Sequence, residues 1–267
     1  MKTIDLLIID TQNDFCDPRG ALYVQGAEAD SSRLADFINK QSSVINNIHI
    51  TLDSHHQYDI AHPMYWLNPL GNHPEPFTII SVDDVKCRRW VTSKEEDRKH
   101  GEDYVTALAL KGKYSLCIWP PHCLIGSWGT QIQTDVFNAL SDWEITNRAI
   151  ADKIYKGSNP GTEHYGALEA EIPQSDDETT KMHIDLVEKL NESHMILIAG
   201  QALDYCVANT VRQLAQQIGD ENIEKLVLLE DCCSSVDPIS GISKFFLEEL
   251  SSKGMKIVKS TDFASNI

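Results

Sequence analysis

One cysteine and two charged residues, far apart in the chain, supply the parts of a covalent acyl-transfer site. Cys206 sits in Gly200-Gln201-Ala202-Leu203-Asp204-Tyr205-Cys206-Val207, where an apolar run gives way to a helical pattern. A thiol in the first turn of a helix lies beside unpaired N–H groups and the positive end of the helix dipole. Both favour thiolate over thiol and offer donors to a developing oxyanion. Attack of such a sulfur on an amide also needs a base for its proton and a cation that keeps the base ionised. Asp10 and Lys156, each closing an apolar run, are residues of those types. The N–H groups of Ala202 and Cys206 are expected to face the oxyanion.

A second constellation has the composition of a metal site. Asp53-Ser54-His55 places a carboxylate and an imidazole two positions apart, on the same side of an extended chain. His122, in Trp119-Pro120-Pro121-His122-Cys123, stands on a proline-stiffened loop and can complete one face. Three N/O ligands with open positions suit a divalent ion carrying water: zinc, with manganese or iron as alternatives. His56 and His62 compete as local ligands. Cys123 could coordinate metal or compete as nucleophile, but it follows a stiff loop rather than opening a helix and is assigned to structure. The adjacent Cys232 and Cys233 read as a buried pair at a strand end rather than a redox couple.

Elements that bring these residues together are legible as apolar runs. Leu6–Ile9 closes at Asp10, Ile48–Leu52 at Asp53, Lys153–Tyr155 at Lys156, Met195–Ala199 at Gly200, and Leu226–Leu229 at Glu230; Lys256–Val258 is a weaker last candidate. Short continuous apolar runs are the pattern of strands buried on both faces. Ser32–Val44, Thr180–Leu190, Asp204–Ile218 and Ile239–Leu250 carry apolar residues at three- and four-residue steps and read as amphipathic helices. Strand and helix in alternation predict a parallel sheet covered on both sides, and such sheets bind ligands beyond the carboxyl ends of their strands. Asp10, Asp53, Lys156 and Gly200 all mark those ends.

With 267 residues, 42% hydrophobic and 24% charged, the chain is expected to form one domain over 1–267. An insertion at about 66–118, rich in Pro, Asn and Trp and holding a polar helical stretch from Ser93 to Leu110, reads as a lid or a subunit contact. A net charge of −17 would repel a phosphate backbone and an anionic membrane alike, so neither nucleic acid nor membrane is an expected partner. No signal peptide or membrane-length apolar run is read. Seven cysteines at irregular spacing do not form a disulfide framework, which points to a reducing cytoplasm.

The motifs taken in order, Asp10-Thr11-Gln12-Asn13-Asp14-Phe15-Cys16, Asp53-Ser54-His55, Trp119-Pro120-Pro121-His122-Cys123, Lys156-Gly157 and Gly200 to Val207, resemble the isochorismatase-like cysteine hydrolases, nicotinamidases most of all. The resemblance runs from Asp10 to about Asp231. It implies a three-layer α/β/α fold with a central parallel sheet, an amidase activity on a small-molecule amide such as nicotinamide, a catalytic triad of Asp10, Lys156 and Cys206, and a divalent metal on Asp53, His55 and His122. It also implies a cis peptide between Gln201 and Ala202, and a substrate ring walled by Phe15 and Trp119, with Tyr165 in the loop after the lysine. Members often assemble, so a homo-oligomer is expected.

Departures from the pattern bear on the substrate. The segment after the lysine reads Glu163-His164-Tyr165-Gly166-Ala167-Leu168 where an Asp-x-Tyr-Ser-Ala-Phe segment is usual, which would remove an aromatic from the pocket. Ser54 replaces an aromatic and His56 a proline. Alternatives to nicotinamide hydrolysis are cleavage of a carbamoyl or ureido acid, with Arg88 or Arg89 meeting its carboxylate, a non-catalytic metal- or ligand-binding homologue, and a redox protein using Cys232 and Cys233.

Overall fold

A computed structural model describes residues 2–263. In chain order the strands are β1 (Ile4–Ile9), β2 (Asn47–Asp53), the two-residue β3 (Trp66–Leu67), β4 (Ile79–Ile80), β5 (Val91–Thr92) and β6 (Leu116–Cys117), then β7 (Asp152–Lys156), β8 (Met195–Gly200), β9 (Leu226–Leu229) and β10 (Lys256–Val258). The helices are α1 (Asn13–Cys16), α2 (Ala27–Gln41), α3 (Val82–Lys86), α4 (Arg98–Leu110), α5 (Thr134–Asn147), α6 (Ile184–Glu192), α7 (Ala208–Ile218) and α8 (Ile242–Ser252). Every apolar run read from the sequence becomes a strand of one six-stranded sheet, ordered β10-β9-β8-β1-β2-β7. All its pairings are parallel.

β1 and β8 are buried along their whole length, which explains why they are apolar without alternation. One face is covered by α2 and α5 through Leu34, Ile38, Val136, Leu140 and Trp143. The other is covered by α6, α7 and α8 through Leu186, Val211, Leu214 and Phe246. This is the expected three-layer α/β/α architecture. A third apolar cluster, holding Phe15, Trp66, Tyr104, Trp119, Tyr165 and Ala202, gathers residues of 66–118 with loops from the sheet.

Helix boundaries differ where polar residues are buried. α2 begins at Ala27, five residues before the apolar pattern, because Asp30 and Ser31 in its first turns face inward. Asp30 accepts from Gln201 Nε2 at 2.9 Å and pairs with Arg33, so a buried polar contact interrupts the apolar spacing. α6 starts at Ile184 because Thr180 closes a separate 3₁₀ turn, and α8 starts at Ile242, leaving Ile239 exposed. α5 was absent from the sequence reading, although Val136, Ala139, Leu140 and Trp143 carry the helical spacing and are buried.

From β1 the chain proceeds to β2 and β7 on one side, then to β8, β9 and β10 on the other. The reversal opens a crevice beyond the ends of β1 and β8. Register then fixes the neighbours: Ile9 lies beside Gly200, and Asp53 beside Lys156.

Candidate active site

Asp10 follows directly on β1 with φ 47°, a left-handed conformation that aspartate tolerates better than most residues. Its Oδ1 accepts from Thr51 Oγ1 at 2.5 Å, and its Oδ2 lies 3.0 Å from Lys156 Nζ. Gly200 beside it has φ 128°, and a Cβ there would meet the Ile9 carbonyl oxygen at 1.9 Å; only glycine lets the two strand ends lie this close.

Lys156 is the hub. Buried to 2% exposure, its Nζ reaches Asp10, Asp53 Oδ1 at 2.9 Å, the His164 carbonyl at 2.7 Å and Cys206 Sγ at 3.8 Å. Burial by itself would lower its pKa. The carboxylates of Asp10 and Asp53 outweigh that and hold the ammonium well above the usual lysine value. Asp10, Lys156 and Cys206 are therefore brought together, as the strand ends suggest.

The thiol itself departs from expectation. Leu203–Val207 is a single π turn ahead of α7, with Ala202 at its N-cap, and Cys206 lies within it. Burial pushes the Cys206 thiol well above its ordinary value, Asp10 and Asp53 adding to the rise and Lys156 opposing it. Desolvation of the sulfur beside two carboxylates opposes the thiolate, against the pull of Lys156. Asp10 is raised too, chiefly by burial and then by Asp53, with Lys156 pulling down. A protonated thiol beside a carboxyl of raised pKa is the pairing that general-base activation requires.

The Gln201–Ala202 peptide is cis, as the resemblance implies. Among the described residues no backbone group accepts the Ala202 N–H, whereas the Gln201 N–H is taken by the Ile9 carbonyl.

Asp53, His55 and His122 present one ligand atom each within 4.8 Å of one another, all three residues being buried. His55 Nδ1 is 3.1 Å from Asp59, and His122 Nδ1 is 2.8 Å from the Pro120 carbonyl. Each hydrogen bond fixes the tautomer that leaves Nε2 free to coordinate. His55 Nε2 lies 3.0 Å and His122 Nε2 3.4 Å from Asp53 Oδ2. The donor set suits a divalent metal ion. Gly157, at φ 83°, makes room beside it: a Cβ would come within 2.9 Å of Asp53 Oδ1.

Of the competing ligands, His56 is exposed, while His62 is buried and its ring lies 5.3 Å from His55 and 5.5 Å from His122. His62 donates to the His56 carbonyl through Nδ1 and has an unpartnered Nε2. Glu163 lines the adjoining cavity with an unpartnered, buried Oε2. Sequence reading missed Glu163 as a donor, since its only signal is a carboxylate seven residues past Lys156. It also missed Gln12, whose amide clamps Asp53 by donating to the Asp53 carbonyl and accepting from the Asp53 N–H, both at 2.7 Å.

Phe15, Trp119 and Tyr165 line the cavity beside Cys206, together with Leu22, Tyr205 and Val236. Trp119 Nε1 donates to Tyr165 Oη at 3.1 Å, and Tyr205 packs edge-on to Trp119 at 5.1 Å. Tyr205 supplies an aromatic wall that the sequence reading did not foresee. Leu168, expected on the pocket side, packs instead in the core under α6 and α7. The cavity is narrow, about 30 Å³, so a ring-sized guest enters only as side chains move.

Three alternative roles are not supported by where the residues lie. Cys123 is fully buried behind the loop, its N–H held by Asp14 Oδ2 at 2.6 Å, and it does not line the cavity. Arg89 is largely exposed and pairs with Asp84, and neither it nor Arg88 lines the cavity. Cys232 and Cys233 pack into cores on opposite faces of the sheet, which separates them as a redox couple.

Burial also sets a pH dependence. His164 accepts from the Gly157 N–H, and burial, then Lys156, pushes its pKa down to about 3; His62 is pushed down to about 4 by burial. Unfolded imidazoles titrate near 6.5, so below that pH the unfolded chain binds protons that the folded chain refuses. Stability is thus complete above about pH 6.5 and is lost as pH falls toward 3–4. The unfolding free energy from urea titrations should drop between pH 7 and 5 by about 2 kcal/mol per histidine. His164→Gln, which keeps an acceptor for Gly157, should flatten that slope. An unchanged slope in the variant would show that His164 is not its source.

No family model matches the chain. The nicotinamidase of Saccharomyces cerevisiae is 25% identical over 221 residues, covering 81% of this chain and 82% of its own. The nicotinamidase of Escherichia coli is 25% identical over 261 residues, 97% of this chain and 95% of its own. Among solved structures, yeast nicotinamidase Pnc1p matches with TM-score 0.65 and 21% identity over 96% of this chain and 99% of that one. PnC1 of L. infantum in complex with nicotinate gives 0.59 and 23% over 98% and 96%. Pyrazinamidase of Pyrococcus horikoshii in complex with zinc gives 0.57 and 22% over 96% and 98%.

Proposed function

We propose that this chain, a member of the isochorismatase-like nicotinamidase family, hydrolyses nicotinamide to nicotinate and ammonia through a thioester on Cys206. The observation that carries the reading is the position of Lys156 Nζ, 3.0 Å from Asp10 and 3.8 Å from the sulfur of Cys206, which itself lines an aromatic cavity. Asp10 takes the thiol proton as sulfur bonds to the amide carbon. The N–H groups of Ala202 and Cys206 receive the oxyanion. Asp10 then passes the proton to the departing nitrogen, which leaves as ammonia. Water attacks the thioester, gives its proton to Asp10, and the proton returns to sulfur as nicotinate is released. Lys156 keeps Asp10 ionised and steady through both halves.

Phe15, Trp119 and Tyr165 would wall the pyridine ring, with Tyr205 closing the fourth side. Asp53, His55 and His122 would hold a divalent ion, zinc in the first instance, which supplies a Lewis-acid contact for the ring nitrogen when bound. The unpartnered Nε2 of His62 belongs to a ring packed beside His55 and His122, and the unpartnered Oε2 of Glu163 belongs to the lining of the cavity. Prolonged treatment with a chelator should lower turnover about 10²-fold or more, consistent with the several kcal/mol a Lewis acid contributes, and zinc, manganese or iron should restore it. Full activity in metal-free protein would remove the ion from this reading.

A carbamoyl or ureido acid is not favoured, since among the described residues no arginine or lysine lines the cavity to meet a substrate carboxylate. Residues of 66–118 such as Trp66 and Tyr104 share an apolar cluster with the cavity-lining Phe15, Trp119 and Tyr165, which supports reading 1–267 as one hydrolase domain. The seven free cysteines support a cytoplasmic location, and no helix among the described residues is long and apolar enough to cross a membrane. The reading needs no nucleic acid or membrane partner. The test is stoichiometric: nicotinamide should yield ammonia and nicotinate in equal amounts. A protein that cleaves a ureido acid and leaves nicotinamide intact would contradict it.

A further inference from the structure

One buried histidine takes no part in the hydrolysis. Within β2, Ile48 and Ile50 face the core under α2 and α5, so His49 between them faces the opposite layer, beneath α6. Asp5 on β1 and Asp152 on β7 point the same way, each two residues before a member of that layer, Leu7 and Ile154. Three adjacent strands thus project polar side chains to one face at the amino-terminal rim of the sheet, the end away from Asp10 and Cys206. They border a hollow of about 420 Å³ that Lys189 and Glu192 of α6 also line.

His49 is 5% exposed, and its two ring nitrogens stand in different surroundings. Nδ1 lies 3.4 Å from Asp152 Oδ2 and, since a carboxylate only accepts, carries the proton. Nε2 has no hydrogen-bond partner among the described residues. It is 3.6 Å from Asp5 Oδ2, too far for a direct N–H···O bond, while Asp5 Oδ1 accepts from Asn47 Nδ2 at 2.9 Å. A lone pair and a carboxylate oxygen held this close inside the protein repel unless they share a positive charge. Their spacing is near that of two ligands on one tetrahedral ion, about 3.3–3.5 Å for bonds of about 2.0–2.2 Å. A carboxylate on the far nitrogen is the usual support of a metal-bound imidazole, and His55 shows the same order, with Asp59 at Nδ1 and Asp53 at Nε2. Charge agrees: Asp5, Asp152 and Glu192 outnumber the ammonium of Lys189, which already lies 3.2 Å from Asp152.

We propose that His49 Nε2 and Asp5 Oδ2 bind a second divalent ion, of the zinc class, at the amino-terminal rim. Asp152 orients the imidazole, and water from the hollow fills the remaining positions. With two protein ligands the site is weaker than the set of Asp53, His55 and His122. Its imidazole ligand selects zinc over magnesium.

Zinc chloride is the probe. Full-length protein carrying one equivalent of zinc should take up a second, counted by atomic absorption after equilibrium dialysis, and an equal concentration of magnesium should not displace it. In long-range proton–nitrogen NMR near neutral pH, the Nε2 resonance of His49 should shift as zinc is added. That signal reports on His49 alone, whatever the catalytic rim holds. His49→Gln should lose the second ion and keep wild-type hydrolysis of nicotinamide, and Asp152→Asn should bind it about 10–100-fold more weakly. If His49→Gln disturbs the circular dichroism spectrum, Asp5→Asn, which should also lose the ion, is read in its place. A His49 resonance that zinc leaves unchanged overturns the proposal, whether the ring is neutral or carries a proton in the metal's place. Zinc uptake equal in the wild type and the folded variant overturns it as well. Displacement of the second zinc by magnesium would reduce the site to a cluster of carboxylates, with the same consequence.

Discussion

Cys206→Ala is expected to abolish ammonia release from nicotinamide, lowering kcat about 10⁴-fold or more while KM changes only a few-fold. The sulfur is the atom that bonds to the carbonyl carbon, so its loss removes the covalent route altogether, whereas loss of one oxyanion donor costs about 10²–10³. Aromatic walls, Asp10 and Lys156 remain, and nicotinamide should still bind. The substitution is nearly volume-conserving in a buried position, so the thermal midpoint should stay close to wild type. In the active protein kcat/KM should rise with pH through the ionisation of Asp10, whose carboxyl titrates above the ordinary aspartate range. Turnover by the variant within tenfold of wild type would exclude the thioester.

Lys156→Met should be as damaging to the fold as to the reaction. The ammonium is buried against two carboxylates, and removing it leaves Asp10 and Asp53 facing each other without a cation. Deleting one partner of a buried ion cluster costs about 3–5 kcal/mol, which for a chain of this size lowers the thermal midpoint by about 6–20 °C. Activity should fall with it, because Asp10 would then hold its proton at neutral pH and could not accept the one on sulfur. Lys156→Arg retains the charge but not the compact ammonium that four acceptors surround, so it should recover stability in part and activity little. A Met variant with wild-type stability would show that the two carboxylates do not depend on Lys156.

Much of the fold was legible because the sheet is buried on both faces and its strands are therefore continuous apolar runs. The polar residues that end those runs, Asp10, Asp53 and Lys156, were legible for the same reason: a parallel sheet collects its strand ends at one rim. Other parts were not. The pairing of Gln12 with Asp53, the approach of Glu163 and His62 to the metal ligands, and the wall formed by Tyr205 all depend on how loops fold over that rim, and no local spacing encodes it. The Cys206 thiol illustrates the limit most sharply. Its place at a helix entrance argued for a lowered pKa, but the burial that places it against Asp10 and Lys156 reverses the sign.

Carbon-13 NMR with nicotinaldehyde labelled at the formyl carbon gives the most direct test of the covalent chemistry. An aldehyde presents the same pyridine carbonyl but has no leaving group, so attack by the Cys206 sulfur stops at a tetrahedral thiohemiacetal. The labelled signal should move from the carbonyl to the tetrahedral region on binding to the wild type, and remain a carbonyl signal with Cys206→Ala. A signal that stays in the carbonyl region on saturated wild-type protein, while the same preparation hydrolyses nicotinamide, would contradict attack by Cys206.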